Sequence, residues 1–198
     1  MENPIQLVNY PKIFSAKEDY KINLVSERGE EIQISIHSPT RYIRDNCERI
    51  LPDWKNNLEM SVAIVLQQSQ FPLTTISPRI EAEKQRLRAK FMMFACDVAF
   101  DLRDKNYLTD FIDPRTGYPL LSRVGQIPHD DTAVVKTLLK YPLICNKCRV
   151  LIHPKWGAAV YPSILISEAP KIIISHTIKS IAILHDWEEI SEQLTPNS

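Results

Sequence analysis

Ser77 and Pro78 open the segment that most limits how this chain can fold. A serine N-cap accepts a hydrogen bond from an amide that the first helical turn leaves free, and proline suits the next position because its missing N–H is not needed there. From there Ile80, Leu87, Phe91, Phe94, Ala95, Val98 and Leu102 recur at helical spacing. The early turns are charged through Glu81, Glu83, Lys84, Arg86 and Arg88, whereas Phe91 to Phe100 holds a single polar residue, Asp97. This pattern predicts a helix over 77–105 with a wet first half and a second half that is apolar all round and enters the core. Asp97 reads as a satisfied buried or rim carboxylate ahead of a functional one.

A layer for that helix to cover is legible upstream. Tyr20 to Val25 runs into the turn Ser26-Glu27-Arg28-Gly29-Glu30, after which Ile32, Ile34 and Ile36 alternate with Gln33, Ser35 and His37. Period two with one apolar face marks a strand, so a hairpin closing near Arg28-Gly29 is expected. Thr40 follows Ser38-Pro39 and opens a short helix with Tyr42, Ile43, Cys47, Ile50 and Leu51 on its apolar side, ending by Pro52. Ser61 to Leu66 is apolar enough for a central strand. Downstream, Thr109 to Gly117 reads as a turn punctuated by Pro114 and Gly117, and Asp131 to Tyr141 as a short helix stopped by Pro142. Arg149–His153 and Ala158–Tyr161 read as strands joined through Pro154-Lys155-Trp156-Gly157, Ile172–Ile174 as a further strand, and Ser180 to Leu194 as a helix. Strands early and late around one long helix give an α+β layer arrangement in one domain, residues 1–198.

Bulk properties narrow the function classes. A chain of 198 residues with 44% apolar and 24% charged residues and zero net charge is an ordinary globular protein, without the basic balance of a duplex-coating one. Four glycines against 14 prolines leave no glycine-rich phosphate loop. The Met1-Glu2-Asn3-Pro4 start resembles neither a secretory signal nor an Arg-rich transit peptide, and no apolar run is long enough to span a bilayer. A cytoplasmic protein with reduced thiols is the expectation, with no nucleic-acid or membrane partner.

Cys145-Asn146-Lys147-Cys148 is the feature most open to chemistry. Two thiols at this spacing can share a metal, exchange a disulfide, or offer one thiolate to a soft centre, and Lys147 and Arg149 would favour the thiolate. Small hydrophobes at a strand edge are the plainer reading. His153 and Trp156 bracket a turn, most simply as a hydrogen-bonding His and a packed Trp. Asp110 and Asp113 are either an acid/base pair or, as is commoner before Pro-x-x-Gly, carboxylates that bond backbone to shape a turn. No H-E-x-x-H and no Ser/His/Asp set is present to support hydrolysis.

The run Asn106 to Gly117, the acidic Asp130-Asp131 and the segment Cys148 to Gly157 together resemble the methylmalonic aciduria and homocystinuria type D protein family. That family pairs a D-F-I-[DN]-P-x-[ST]-G turn with a C-[KR]-V-x-x-H-x-x-W-G segment, and the similarity covers roughly residues 78–168. The resemblance implies a modified nitroreductase-like α+β fold, a mostly antiparallel sheet on a long central helix, with no flavin and no turnover of its own. It also implies passage of vitamin B12 in partnership with a type C cobalamin-processing protein, and a thiolate ligand to the partner's cobalt. The family's ligating cysteine is the first of a Cys-Cys pair; here the second matches Cys148, the first falls on Lys147, and Cys145 lies two residues further back. The long N-terminal region carrying mitochondrial targeting in the animal protein is not expected here.

The expectation is therefore a non-enzymatic cobalamin-trafficking adaptor with no tightly bound cofactor. Cys148 or Cys145 is its candidate thiolate for cobalamin, and Asp110, Asp113, Arg115, Asp131, His153 and Trp156 are its partner-facing or turn-shaping residues. Self-association stays open, as do two other readings: a flavin-dependent reductase on the same fold, and a CxxC metal or redox protein.

Overall fold

The computed structural model describes residues 20–54, 59–145 and 149–190. In chain order these form β1 (Tyr20–Ser26), β2 (Glu31–His37), the short helices α1 (Arg41–Asp45) and α2 (Cys47–Ile50), β3 (Ser61–Gln68), the long α3 (Pro78–Asp104) and β4 (Thr109–Phe111). Then follow α4 (Asp131–Leu139), β5 (Leu143–Cys145), β6 (Arg149–Leu151), β7 (Val160–Ser167), α5 (Lys171–Leu184) and β8 (Trp187–Glu189). Six strands make one sheet in the order β4-β7-β3-β2-β1-β8, every pairing antiparallel, and β5-β6 is a separate hairpin. The α+β class with an antiparallel sheet under a long helix is as expected.

β3 explains the layering. Its side chains alternate between faces, and both sets are buried: Ala63 and Val65 join one apolar cluster, Val62, Ile64 and Leu66 another. The first cluster packs the sheet against α3 (Phe91, Phe94, Val98, Leu102) and α5 (Ile174, Ile178, Ile181). The second packs the opposite face against Ile43, Ile50, Trp54, α4 through Val134 and Val135, and Leu151 and Trp156. The β1–β2 hairpin closes as its alternation requires, with Ile22 opposite Ile34 and Gly29 at φ 76° in the turn. Its isoleucines face α3 and α5, which leaves Gln33, Ser35 and His37 on the other side.

α3 starts where its caps place it: Ser77 Oγ accepts from Ile80 N at 3.3 Å and Pro78 is the first helical residue. Its second half is less enclosed than its composition predicts, because Met93 and Phe100 are exposed and Asp97 lies at the surface bonded to His185. A helix lying on a sheet buries one stripe only. Tyr42 is likewise exposed, not on the buried side of its helix.

The C-terminal region corrects the sequence reading. Ile172–Ile174 is the first turn of α5, not a strand: Pro170 stands at its N-cap, and Ile174, Ile178 and Ile181 bury one helical stripe, which overrides the β-preference of three branched residues in a row. The helix expected from Ser180 ends at Leu184, Trp187–Glu189 pairs with β1 as an edge strand, and Leu194 lies outside the described residues. Thr109–Phe111, read as turn, is an edge strand on β7. The two strands expected around Pro154–Gly157 belong to different sheets, and only a bridge between His153 and Gly157 joins their ends.

Phe91 is almost fully buried and meets Phe111 edge-on at 6.1 Å between ring centres. Phe91→Ala should therefore cost about 3–5 kcal/mol in urea unfolding, while Met93→Ala two positions on should stay within about 0.5 kcal/mol of the parent. Equal losses would contradict this orientation of α3.

Candidate functional site

Asp113 binds the long helix to the turn that follows β4. Arg88 donates to it through Nε at 2.6 Å and Nη2 at 2.9 Å, a two-pronged pair. The same carboxylate accepts from Arg115 N at 3.0 Å and Thr116 Oγ1 at 3.1 Å, and the Asp113 carbonyl accepts from Gly117 N. The Arg88 guanidinium holds the Asp113 carboxyl below the ordinary carboxylate range. Asp110, fully buried, fixes the chain further on, where its two oxygens accept from the amides of Phe111, Leu120, Leu121 and Ser122 at 2.7–3.0 Å. With both carboxylates engaged in this way, the pair fixes loops rather than sharing a proton.

Gly117 is where this turn meets the next segment. It has φ 73°, and a Cβ there would stand 2.5 Å from the His129 carbonyl oxygen and 2.9 Å from Pro128 Cβ. The close approach lets His129 N donate to Gly117 O at 2.7 Å. His129 Nδ1 lies 2.9 Å from Asp131 Oδ1, and both residues are buried. Burial raises the Asp131 carboxyl above its ordinary range. His129 Nε2 and Asp131 Oδ2 have no hydrogen-bond partner among the described residues.

This pair lines a cavity of about 580 Å³ whose walls include Lys84 of α3, Arg115 of the turn, the start of α4, Arg149 of β6 and Tyr161 of β7. Asp130 caps α4 by accepting from Ala133 N and also takes Arg149 Nη1 at 2.6 Å. Burial raises the Tyr161 hydroxyl well above the usual tyrosine range, with the Asp131 and Asp113 carboxyls adding to it.

The β5–β6 hairpin stands at the cavity's edge. Cys145 pairs with Arg149 in its backbone ladder, and Cys148 lies outside the described residues. The other two thiols are half-buried on helices, and burial raises both above the ordinary thiol range. Among the described residues no three His, Cys, Asp or Glu side chains are grouped to hold a metal ion.

His153 sits apart, over the polar face of the β1–β2 hairpin. Its Nδ1 accepts from the amides of Lys155 and Trp156, both at 3.1 Å, so Nε2 carries the proton and donates to Gln33 Oε1 at 2.8 Å. The ring stacks on Trp156 with centres 4.0 Å apart, and burial pushes its pKa down to about 4, with Glu31 pulling upwards and Lys155 downwards. Thus Asp110, Asp113, His153 and Trp156 organise loops, whereas Arg115 and Asp131 meet at the cavity. His129 was not singled out from the sequence, and Arg88 and Tyr161 were read only as a charged helix position and a strand end; only the closeness of His129 to Asp130-Asp131 could have signalled the first.

The fold and this cluster of turns define an α+β domain whose loops are fixed by buried carboxylates. A family model described as methylmalonic aciduria and homocystinuria type D protein matches residues 8–181, and the chain belongs to that family. The match extends the resemblance beyond 78–168 in both directions. The chain is similar to proteins named cobalamin trafficking protein CblD: 26% identical to that of Homo sapiens over 76% of this chain and 50% of the relative, and 25% to that of Mus musculus over 78% and 53%. That of Gallus gallus is 23% identical over 66% and 44%. The chain spans about half the length of these relatives. No helix among the described residues is long and apolar enough to cross a membrane.

Gly117→Ala should destabilise the chain by about 1–3 kcal/mol in chemical unfolding, from the positive φ and the contact with His129; a neutral change would contradict the close approach. His153 gives a pH test. A folded pKa near 4, below the ordinary 6.5, means the unfolded chain takes up a proton first, so this residue costs stability as pH falls from about 6.5 towards 4. In His153→Asn the amide oxygen can replace Nδ1 but nothing titrates. Thermal melts at pH 7 and pH 5 should show a smaller fall in Tm for the variant than for the parent.

Proposed function

We propose that this protein is a cobalamin-trafficking adaptor without turnover of its own, which binds a type C-like cobalamin-processing protein and offers a thiolate of Cys148 or Cys145 to the cobalt. The family match supports the cobalamin role, and the names of the relatives agree with it. The observation that supports the site is the position of Arg149, the residue after Cys148: Asp130 holds it at the rim of the 580 Å³ cavity. Cys145 stands across from Arg149 on the paired strand. A thiolate here has the Arg149 cation close in the chain, whereas burial raises the Cys47 and Cys96 thiols above the ordinary thiol range. A nitroreductase-like fold without flavin and a cytoplasmic setting belong to the same reading.

The test is a titration of each Cys→Ser variant with cob(II)alamin, with and without a type C protein, followed in the cobalt absorption spectrum. Cys47→Ser and Cys96→Ser should behave as the parent, and the double variant Cys145→Ser/Cys148→Ser should lose the spectral change. A double variant that retains it would end the thiolate assignment, leaving only docking of the partner to be measured.

A further inference from the structure

α3 buries one apolar stripe and exposes another. Its core side carries Leu87, Phe91, Phe94, Val98 and Leu102. On the opposite side Ala82, Ala89, Met93 and Phe100 are exposed, Met93 by 67% and Phe100 by 51%. At 3.6 residues per turn these four positions fall within about 40° of arc. A helix that only roofs a sheet carries polar side chains on that side. An apolar line there marks a surface that another body covers.

The stripe is graded in size and the helix in charge. The small side chains, Ala82 and Ala89, occupy the first half, and the large ones, Met93 and Phe100, the second. Residues 78–91 carry five basic and two acidic side chains, and residues 92–104 three acidic and one basic. Both gradients are matched by the same helix running the other way. A two-fold axis across the midpoint of this 27-residue helix, at Phe91, sets Ala82 against Phe100 of the second copy and Ala89 against its Met93. The same operation brings Arg86 beside Asp97 of the second copy and Arg79 beside its Asp104. Arg79 and Asp104 make no ion pair among the described residues, so these two charges are open to a contact of this kind.

We infer that two copies of this chain pair antiparallel through the outer stripe of α3, about a two-fold axis at the level of Phe91. Each copy offers the same patch, so the contact closes as a dimer and does not propagate. Small side chains opposite large ones allow the helices to approach to about 8–10 Å between axes. Opposite charge at the two ends sets the register. A different protein docked on this stripe would not require it to match itself. The interface is independent of the cobalamin reading above.

Sedimentation equilibrium of the full chain across the micromolar range should show a reversible monomer–dimer equilibrium. Met93→Arg and Phe100→Ala should each weaken it at least about tenfold, as loss of a central apolar contact does. Ile183→Arg should leave it unchanged, since that exposed side chain lies on the side of α5 towards Trp187 and Glu189, away from the stripe. At dilutions where all are monomeric the variants should melt with the parent, because each changes an exposed position. A short bismaleimide followed by peptide mass spectrometry reads the direction of pairing. Along the axis the two copies of Ala89 lie about 6 Å apart and those of Ala82 about 27 Å. Ala89→Cys should therefore be joined to its own copy and Ala82→Cys should not. A monomer at every concentration, or a dimer indifferent to both Met93→Arg and Phe100→Ala, would overturn the interface. So would loss of the dimer in Ile183→Arg or equal coupling of the two cysteine variants.

Discussion

Arg88 and Asp113 form the contact on which the site depends. Arg88 stands where α3 changes character: before it come Glu81, Lys84 and Gln85, which wall the cavity, and after it Phe91, Phe94 and Val98, which pack on the sheet. One helix thus serves as core element and as cavity wall, and the ion pair fastens the turn after β4 to the point between. Arg88 is partly exposed and Asp113 nearly buried, so the pair is screened less than one at the surface. Its lasting effect is positional, because the Asp113 carboxylate also orders Arg115 and Thr116. Arg115 is thereby brought to the cavity mouth.

The turn then sets the next segment. Gly117 approaches the His129 backbone too closely for any side chain, and the His129 amide completes that contact. The His129–Asp131 pair, the α4 N-cap at Asp130 and the Arg149 that Asp130 holds follow in sequence. Four distant stretches of chain therefore converge through polar contacts that each fix an orientation. Such contacts are strong where charge-assisted and costly where incomplete.

The elements built on periodic apolar residues were legible. The β1–β2 hairpin, β3 and α3 with its Ser77-Pro78 start each repeat a local signal that packing then reinforces. α5 was not, since Ile172-Ile173-Ile174 satisfies a strand as well as a helix until Ile178 and Ile181 are seen to share their buried stripe. β4 was hidden because three residues beside a turn carry no period. For the site, the D-F-I-D-P-R-T-G and C-R-V-L-I-H-P-K-W-G segments pointed to the right loops but not to what each residue does there. Asp113 looked like a turn former and is also the partner of Arg88, twenty-five positions away; His153 lies 120 positions from its partner Gln33. Contacts at such separations leave no spacing to read.

His129 and Asp131 differ from the two aspartates beside β4. Asp110 and Asp113 are surrounded by donors, as buried carboxylates ordinarily are. Asp131 keeps one oxygen without a partner among the described residues, at a cost of about 1–3 kcal/mol. That loss is small beside the burial of both faces of β3 and its neighbours, so the fold can carry it. A loop that needed only rigidity would gain nothing from it, since Val134 and Val135 already anchor α4. The pair lines the same cavity as Arg149 and the rest of β6.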